Sequence, residues 1–197
     1  MMKIRQFALS LIGLLAAVTL APRARAAQNV RIDFDPQKTR IEFALADFMP
    51  DVHGVFRLRS GSIQFDRQSG SASGSLIVDA SSGDSGVGSR DSKMKRDILE
   101  AARFPDIVFL PKNVIGSVPE SGSATIQVQG VFRIHGTDHQ VTLPVSLTVN
   151  GSAFELTTKF AVPYVAWGMK DPSAFILRVG KEVGITINAA GQVIPSP

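Results

Sequence analysis

The sequence predicts a single all-β domain preceded by an export signal. Apolar and polar residues alternate with a period of two along most of the chain, which is the pattern of half-buried strands. Turn signals rich in Gly, Asn, Asp and Ser separate the alternating segments. Only one stretch has a helical pattern, and no composition shift or long-period repeat divides the 197 residues. That length suits one domain.

The N-terminal segment, residues 1–26, has the pattern of a cleaved secretory signal. Lys3 and Arg5 precede an apolar run of 15 residues, 7–21, and Ala24 and Ala26 follow at the positions that signal peptidase reads. The run is too short for an ordinary membrane-spanning helix. We therefore expect a signal peptide at 1–26 and one exported domain at 27–197; an uncleaved N-terminal anchor is the alternative.

Removal of the signal changes the charge of the protein. The full chain has 21 Lys and Arg, 17 Asp and Glu and a net charge of +4. Four of those cations (Lys3, Arg5, Arg23 and Arg25) lie in the signal, so residues 27–197 hold 17 basic and 17 acidic residues. A neutral domain argues against a nucleic-acid partner. The lack of Cys excludes disulfides, thiol nucleophiles and cysteine metal sites.

The strands follow in order along the mature chain. Alternation is clearest over 41–45, 63–65, 141–149, 154–160 and 183–189, and further strands are expected near 53–58, 74–80, 106–115 and 124–134. Turns are expected at 59–61, 68–70, 119–122, 135–138 and at Asn150-Gly151, a strong signal for a two-residue hairpin loop. Eight or nine antiparallel strands of this kind form either a sandwich or a closed barrel.

One helix or two helical turns are expected between Gly88 and Arg103. Ser89 or Asp91 is a candidate N-cap, and Pro105 prevents continuation. The helix carries four cations, Arg90, Lys93, Lys95 and Arg96, which nearby Asp and Glu residues offset. We interpret them as a solvated face.

The candidate binding residues are the large apolar groups on the inward strand faces. They are Phe43, Phe56, Phe65, Phe109, Phe132, Phe154 and Phe160. These rings either fill a core or surround an elongated apolar ligand inside a barrel. Residues 160–175 add the only Tyr and the only Trp, Tyr164 and Trp167, together with Met169. This segment either lines the mouth of a cavity or plugs one end of a barrel.

Catalytic and metal-binding patterns are weak. The three histidines are His53, His135 and His139. His53 opens a strand, where it could point inward as a ligand contact or a base, and it is the single acid–base candidate. His135 and His139 lie across a turn with no third ligand nearby, so we expect a solvated turn and no metal site. Ser92-Lys93-Met94-Lys95 matches Ser-x-x-Lys without its companion motifs, which indicates a surface helix.

Several landmarks occur in a characteristic order. They are Asp35-Pro36 before Ile41-Glu42-Phe43, Gly54-Val55-Phe56 before Gly61-Ser62-Ile63-Gln64-Phe65-Asp66, Arg90-Asp91 before Phe104-Pro105, Gly130-Val131-Phe132 before Gly136, and the closing segment 179–187. Together they resemble the YceI family of exported, lipocalin-like proteins over about residues 30–193. The chain departs from the family at Tyr164 and Ala166, where many relatives carry an Arg and an acidic residue. We therefore do not expect head-group recognition by that pair.

The resemblance implies an extended, eight-stranded antiparallel barrel with one short helix over one end. Such a protein is periplasmic and binds a long apolar amphiphile (a polyisoprenoid, an isoprenoid quinone or a fatty amide) without cofactor or catalytic residues. Transient membrane contact and a homodimer are compatible with this interpretation. The alternatives are a structural or stress-related envelope module with a packed core and, as a weaker hypothesis, a lipid-modifying enzyme that uses His53.

Overall fold

A computed structural model of the chain describes residues 29–45, 51–173 and 179–196. The expected signal peptide lies outside these ranges. The strands are β1 (Asn29–Phe34), β2 (Arg40–Leu45), β3 (Val52–Asp66), β4 (Ala72–Asp84), β5 (Asp106–Ile115), β6 (Gly122–Ile134), β7 (Thr137–Asn150), β8 (Ala153–Val162) and β9 (Val183–Pro195). One helix, α1 (Gly88–Lys93), continues into a π-helical turn at Met94–Ile98, and a 3-10 turn occupies Pro36–Lys38.

The nine strands form one closed antiparallel sheet with eight positions around the barrel. β1 and β2 share a position because both lie between β3 and β9. β1 pairs with β3 around Val30↔Phe65, and β2 pairs with the other half of β3 around Ile41↔Phe56. The 3-10 turn, which begins at a proline, interrupts what is otherwise one long strand.

Closure distinguishes a barrel from a sandwich. From β3 the sheet runs through β4, β5, β6, β7, β8 and β9, and β1 and β2 then bridge β9 back to β3. Every pairing is antiparallel. The eight-stranded barrel with one short helix is therefore confirmed, and the sandwich is excluded. Alternation places one side of each strand inside: on β7, Leu143, Val145, Leu147 and Val149 are buried.

Two local predictions are wrong in instructive ways. The expected turn at 59–61 is instead a β-bulge between Leu58 and Ser60, within the single strand β3. In the β7–β8 hairpin, Asn150 pairs with Ala153, so the central loop residues are Gly151 and Ser152, one position later than expected. Gly151 has φ +61°, the left-handed value that the first central position of a type II′ turn requires.

The expected helix is shorter than its sequence pattern and is not capped as predicted. It begins at Gly88, and Val87 precedes it without a side-chain cap. Asp91 is buried inside the first turn, where it accepts a hydrogen bond from the backbone N–H of Ser85 at 2.9 Å. It therefore ties the helix to the end of β4 instead of capping it.

Gly54 allows the backbone of β3 to lie close to its neighbours. A Cβ atom built there would lie 2.4 Å from the Asp84 carbonyl oxygen and 2.4 Å from the ring of Phe43. Both distances are far below contact distance, so only glycine fits. This close approach lets the Phe43 ring lie inside the barrel beside Phe56, with ring centroids 5.3 Å apart.

Candidate functional site

Within the described residues, the barrel interior contains two adjoining cavities. The first, which we call the inner chamber, has a volume of about 170 Å³ and is lined mainly by strand residues. Its wall is almost entirely aliphatic and aromatic, with Phe65, Phe109 and Phe154 among its residues. Cavities with such walls favour hydrocarbon over water, because water inside would have few polar partners.

The second cavity, the helix-side chamber, lies under α1 and has a volume of about 500 Å³. Phe43, Phe56, Tyr164 and Met169 are among its apolar lining residues. Unlike the inner chamber, it has a polar margin, formed by Ser85, Ser89, Arg90 and Lys93. Ser89 and Lys93 are exposed, so this part of the wall reaches solvent.

The two chambers share part of their lining, which we call the waist. Its residues are Ile41, Val78, Ile107, Phe132, Phe160 and Ile187. Phe132 and Phe160 pack edge to face there, with ring centroids 5.9 Å apart. Because the same side chains border both cavities, the two cavities adjoin at the waist; we call the pair the channel.

Three polar side chains interrupt the inner chamber. Thr39 donates its hydroxyl to the Asp35 carbonyl oxygen at 2.8 Å. Arg67 donates from Nη1 to the carbonyl oxygens of Val118 and Pro119, at 2.9 and 3.2 Å, and so lies across the end of the chamber far from the helix. Thr158 differs from both: its Oγ1 is buried and makes no hydrogen bond with any described residue.

A hydrogen-bonded cluster holds Arg90 at the wall of the helix-side chamber. Its Nε donates to Ser85 Oγ at 2.8 Å and its Nη2 donates to the Ser85 carbonyl oxygen at 3.0 Å. Ser85 in turn donates its hydroxyl and its backbone N–H to Asp91. Burial raises the pKa of Asp91, but the two bonds from Ser85 and the charges of Lys95 and Arg90 outweigh it, so the pKa lies below its usual value.

The 163–170 loop closes the same end of the barrel. It folds on itself through a hydrogen bond from the Met169 backbone N–H to the Tyr164 carbonyl oxygen at 3.0 Å. The Tyr164 hydroxyl donates to the Gly180 carbonyl oxygen at 2.8 Å, which ties the loop to the segment before β9. Tyr164 and Met169 are buried and line the chamber, so this loop contributes to the cavity wall and also covers the barrel end.

Trp167 lies on the other side of this loop. Its ring stacks on His139 with centroids 3.9 Å apart and an interplanar angle of 6°, and it also lies 5.8 Å from Phe132 at the waist. Burial lowers the pKa of His139, and the charge of Asp138 opposes this effect only in part. Trp167 thus connects the β6–β7 hairpin to the waist without lining either chamber.

The structure places nine of the eleven predicted binding residues along the channel. Phe65, Phe109 and Phe154 line the inner chamber, Phe132 and Phe160 the waist, and Phe43, Phe56, Tyr164 and Met169 the helix-side chamber. Trp167 and His53 line neither chamber. That these side chains contact a ligand remains a prediction.

His53 is not where the sequence interpretation placed it. It pairs with Ala44 across β2 and β3 and is exposed on the outer face of the barrel. The reason is alternation: Val52 and Phe56 point into the helix-side chamber, so His53, three positions before Phe56, points outward. The expectation of an inward-pointing base is wrong.

The other two histidines have separate surroundings. His135 lies 3.2 Å from a carboxylate oxygen of Glu100 and packs on Phe104, whereas His139 stacks on Trp167. Within residues 29–45, 51–173 and 179–196, no group of three or more His, Asp or Glu side chains has the geometry to hold a metal ion. No helix in these ranges is long and apolar enough to cross a membrane.

Sequence reasoning missed the polar residues of the channel. The sequence pattern predicts a solvated face for all four cations of this segment, yet Arg90 and Lys93 line the helix-side chamber, while Lys95 and Arg96 do not. No pattern in the sequence distinguishes these two pairs, because the difference depends on which side of a short helix faces the barrel. Arg67 and Thr158 were likewise not singled out.

Comparison with known proteins agrees with this architecture. The model of the YceI-like domain family matches residues 33–190. A search of curated proteins found no significant match.

Three solved structures are similar to this chain in fold. BcnA of Burkholderia cenocepacia has a TM-score of 0.66 at 19% identity, over 80% of this chain and 99% of that one. A polyisoprenoid binding domain from Saccharophagus degradans, implicated in plant cell wall breakdown, has a TM-score of 0.61 at 10% identity, over 82% and 97%. The YceI protein of Campylobacter jejuni has a TM-score of 0.59 at 16% identity, over 73% and 86%.

Proposed function

Because the chain belongs to the family of YceI-like domains, we propose that it is an exported, periplasmic binding protein that carries a long apolar amphiphile inside its barrel. The ligand class is a polyisoprenoid, an isoprenoid quinone or a fatty amide. The observation that carries this proposal is the pair of adjoining apolar cavities, in which an inner chamber of about 170 Å³ and a helix-side chamber of about 500 Å³ share the waist. The polyisoprenoid-binding domain of similar fold supports the same ligand class.

The energetics of such a channel suit a hydrocarbon chain. Each buried methylene contributes about 0.8 kcal/mol, so some twenty apolar carbons supply more than the cost of immobilising the ligand. The inner chamber offers few polar partners, so binding there depends on length and apolar area more than on hydrogen bonds. An affinity that increases with chain length is therefore expected.

Binding is favoured over catalysis and over a packed structural module. None of the three histidines lines a chamber, and His53, the single acid–base candidate, lies on the outer face. A packed module would have a side-chain-filled interior, whereas this interior leaves two open volumes.

The test is to identify what the protein carries. We expect the full chain, expressed with its own leader in a Gram-negative host and purified without detergent, to yield an apolar molecule by mass spectrometry of an organic extract. Val78→Trp, which fills the waist, should reduce the yield, and Ile77→Trp, on the outward side of the same strand, should not. An empty wild-type extract, together with failure to bind an apolar fluorescent probe, would refute the proposal.

Export is tested on the same preparation. We propose cleavage after Ala26, so intact-mass measurement of periplasmic protein should give a chain that begins at Ala27. A mass that includes residues 1–26 would contradict the cleaved signal and support the uncleaved anchor.

A further inference from the structure

All charged side chains that line the channel are cations. Within the described parts of the chain they are Arg67, Arg90 and Lys93, and no Asp or Glu borders either chamber. Among the described wall residues, an anion inside the channel would therefore meet only positive charge. The protein carries equal numbers of acidic and basic residues after residue 26, so this bias is local and not a consequence of composition.

Two of the three cations lie together, at the part of the wall that reaches solvent. Arg90 and Lys93 are one helical turn apart on α1 and line the helix-side chamber with Ser89. Arg67 lies at the opposite end, beyond the waist, where it is bonded to two carbonyl oxygens. A charged head group that reached Arg67 would first have to pass through the apolar inner chamber, at a large desolvation cost.

Arg90 is held in position before any ligand arrives. Its bonds to the side chain and backbone of Ser85 use one N–H of Nε and one of Nη2. Since a guanidinium has five N–H donors, three remain for a ligand. Fixing the guanidinium in advance reduces the entropy lost on binding.

Lys93 is more available than Arg90 for contact with a ligand. Within the described ranges no carboxylate oxygen lies within 4.0 Å of its Nζ, although Asp97 is close enough for Lys93 to lower the pKa of that carboxyl. Asp97 is itself paired with Arg96 at 2.8 Å, and Asp91 is engaged by Ser85. The segment 88–98 has four cations and two carboxylates, so this segment is net positive.

We propose that the helix-side chamber binds the anionic head group of the amphiphile, a phosphate, diphosphate or carboxylate, through Arg90 and Lys93, with the apolar chain extending past the waist into the inner chamber. This rests on the proposed function and adds to it a charge for the head group and a direction for the chain. Arg90 supplies a planar pair of donors that matches the oxygens of a phosphate or carboxylate, and Lys93 supplies a mobile charge.

The experiment compares three C20 probes that differ only in head group: geranylgeranyl phosphate, geranylgeraniol and geranylgeranylamine. Dissociation constants are measured by displacement of an apolar fluorescent probe, below the concentrations at which the lipids aggregate. We expect the phosphate to bind about tenfold more tightly than the alcohol, as one charge-assisted hydrogen bond predicts. The amine should bind most weakly, and the advantage of the phosphate should decrease with added salt.

Variants assign the effect to residues. Lys93→Gln and Arg90→Gln should each lower the affinity for the phosphate much more than the affinity for the alcohol, and so remove most of the preference for phosphate. Lys95→Gln is the matched control, because Lys95 is on the same segment but lines neither chamber. If Arg90→Gln disturbs the Ser85 cluster and lowers the melting temperature, Lys93→Gln carries the test alone, since Lys93 is exposed.

Each remaining outcome decides against the inference. Equal affinity of the wild type for phosphate and alcohol would overturn it and leave the proposed function standing. If Arg67→Gln lost the preference for phosphate and Lys93→Gln kept it, the head group would bind at Arg67. The apolar chain of the ligand would then run in the opposite direction. Inorganic phosphate binding as tightly as geranylgeranyl phosphate would show a free-anion site instead. If none of the three lipids binds, the proposed function fails and this inference fails with it.

Discussion

The buried hydroxyl of Thr158 provides a test of whether the inner chamber is apolar at this position. Thr158 is 6% exposed and its Oγ1 has no hydrogen-bond partner among the described residues, although it borders the inner chamber. Thr158→Val replaces that hydroxyl by a methyl group of nearly the same size. The substitution therefore removes an unsatisfied polar atom without creating a void.

The expected increase in the free energy of unfolding follows from the cost of burying an unpaired hydroxyl. A buried donor or acceptor without a partner costs about 1–3 kcal/mol. The lower end applies here, because the hydroxyl is neutral and the cost is larger for charged groups. We expect the free energy of unfolding to increase by about 1 kcal/mol, which raises Tm by about 3 °C for a domain of this size.

The assay is urea denaturation of ligand-free protein, followed by circular dichroism. Thr157→Val is the matched control: Thr157 precedes Thr158 on β8, points outward and donates its hydroxyl to Asn188 Oδ1 at 2.8 Å. That variant loses an exposed bond and should be neutral or slightly destabilised. If Thr158→Val is destabilised by about 1 kcal/mol, the hydroxyl has a partner and the description of the inner chamber as apolar at this point is wrong.

Three further predictions address other parts of the barrel. His53→Ala should leave ligand retention and stability unchanged, because the side chain is on the outer face; a loss of bound ligand on mass spectrometry would contradict that placement. Gly54→Ala should destabilise the protein by about 2 kcal/mol or more in urea, since its Cβ would lie 2.4 Å from backbone and ring atoms, whereas Gly88→Ala, with open space around it, should not. The lowered pKa of His139 means that the unfolded chain binds its proton more readily than the folded chain, so this residue should cause stability to decrease as pH falls through about 6.5 towards the folded-state pKa. His139→Phe, which keeps a ring against Trp167, should reduce that pH dependence in paired urea titrations at pH 7.5 and 5.5; an unchanged dependence would show that His139 is not its source.

The outward position of His53 is predictable from alternation along β3. Alternation by itself predicts which residues of a strand share a face, and His53 is an odd number of positions from Phe56. Taking Phe56 as inward therefore already places His53 outside. Gly54, on the inward side, was a further signal, because a glycine within a strand often marks a close approach of neighbouring atoms.

The polar margin of the channel was not predictable in the same way. The cations of the 88–98 segment are close together in sequence, and helical periodicity over so short a segment does not indicate which of them faces the barrel. Arg90 is oriented by Ser85, which lies outside the helix. Trp167 is a similar case, since its contact with His139 joins a loop after β8 to the β6–β7 hairpin.

The sequence by itself determined the class of the fold, most of the strands and most of the residues that face inward, because these depend on a two-residue period that each strand carries locally. Only the tertiary structure decided that the sheet closes, that β1 and β2 share one position, and that the interior is a channel with a waist instead of a filled core. Closure depends on the register between β9 and the first two strands, which are more than a hundred residues away in sequence. The open volume depends in turn on how side chains from all strands pack against one another across the barrel. No local sequence pattern predicts that packing.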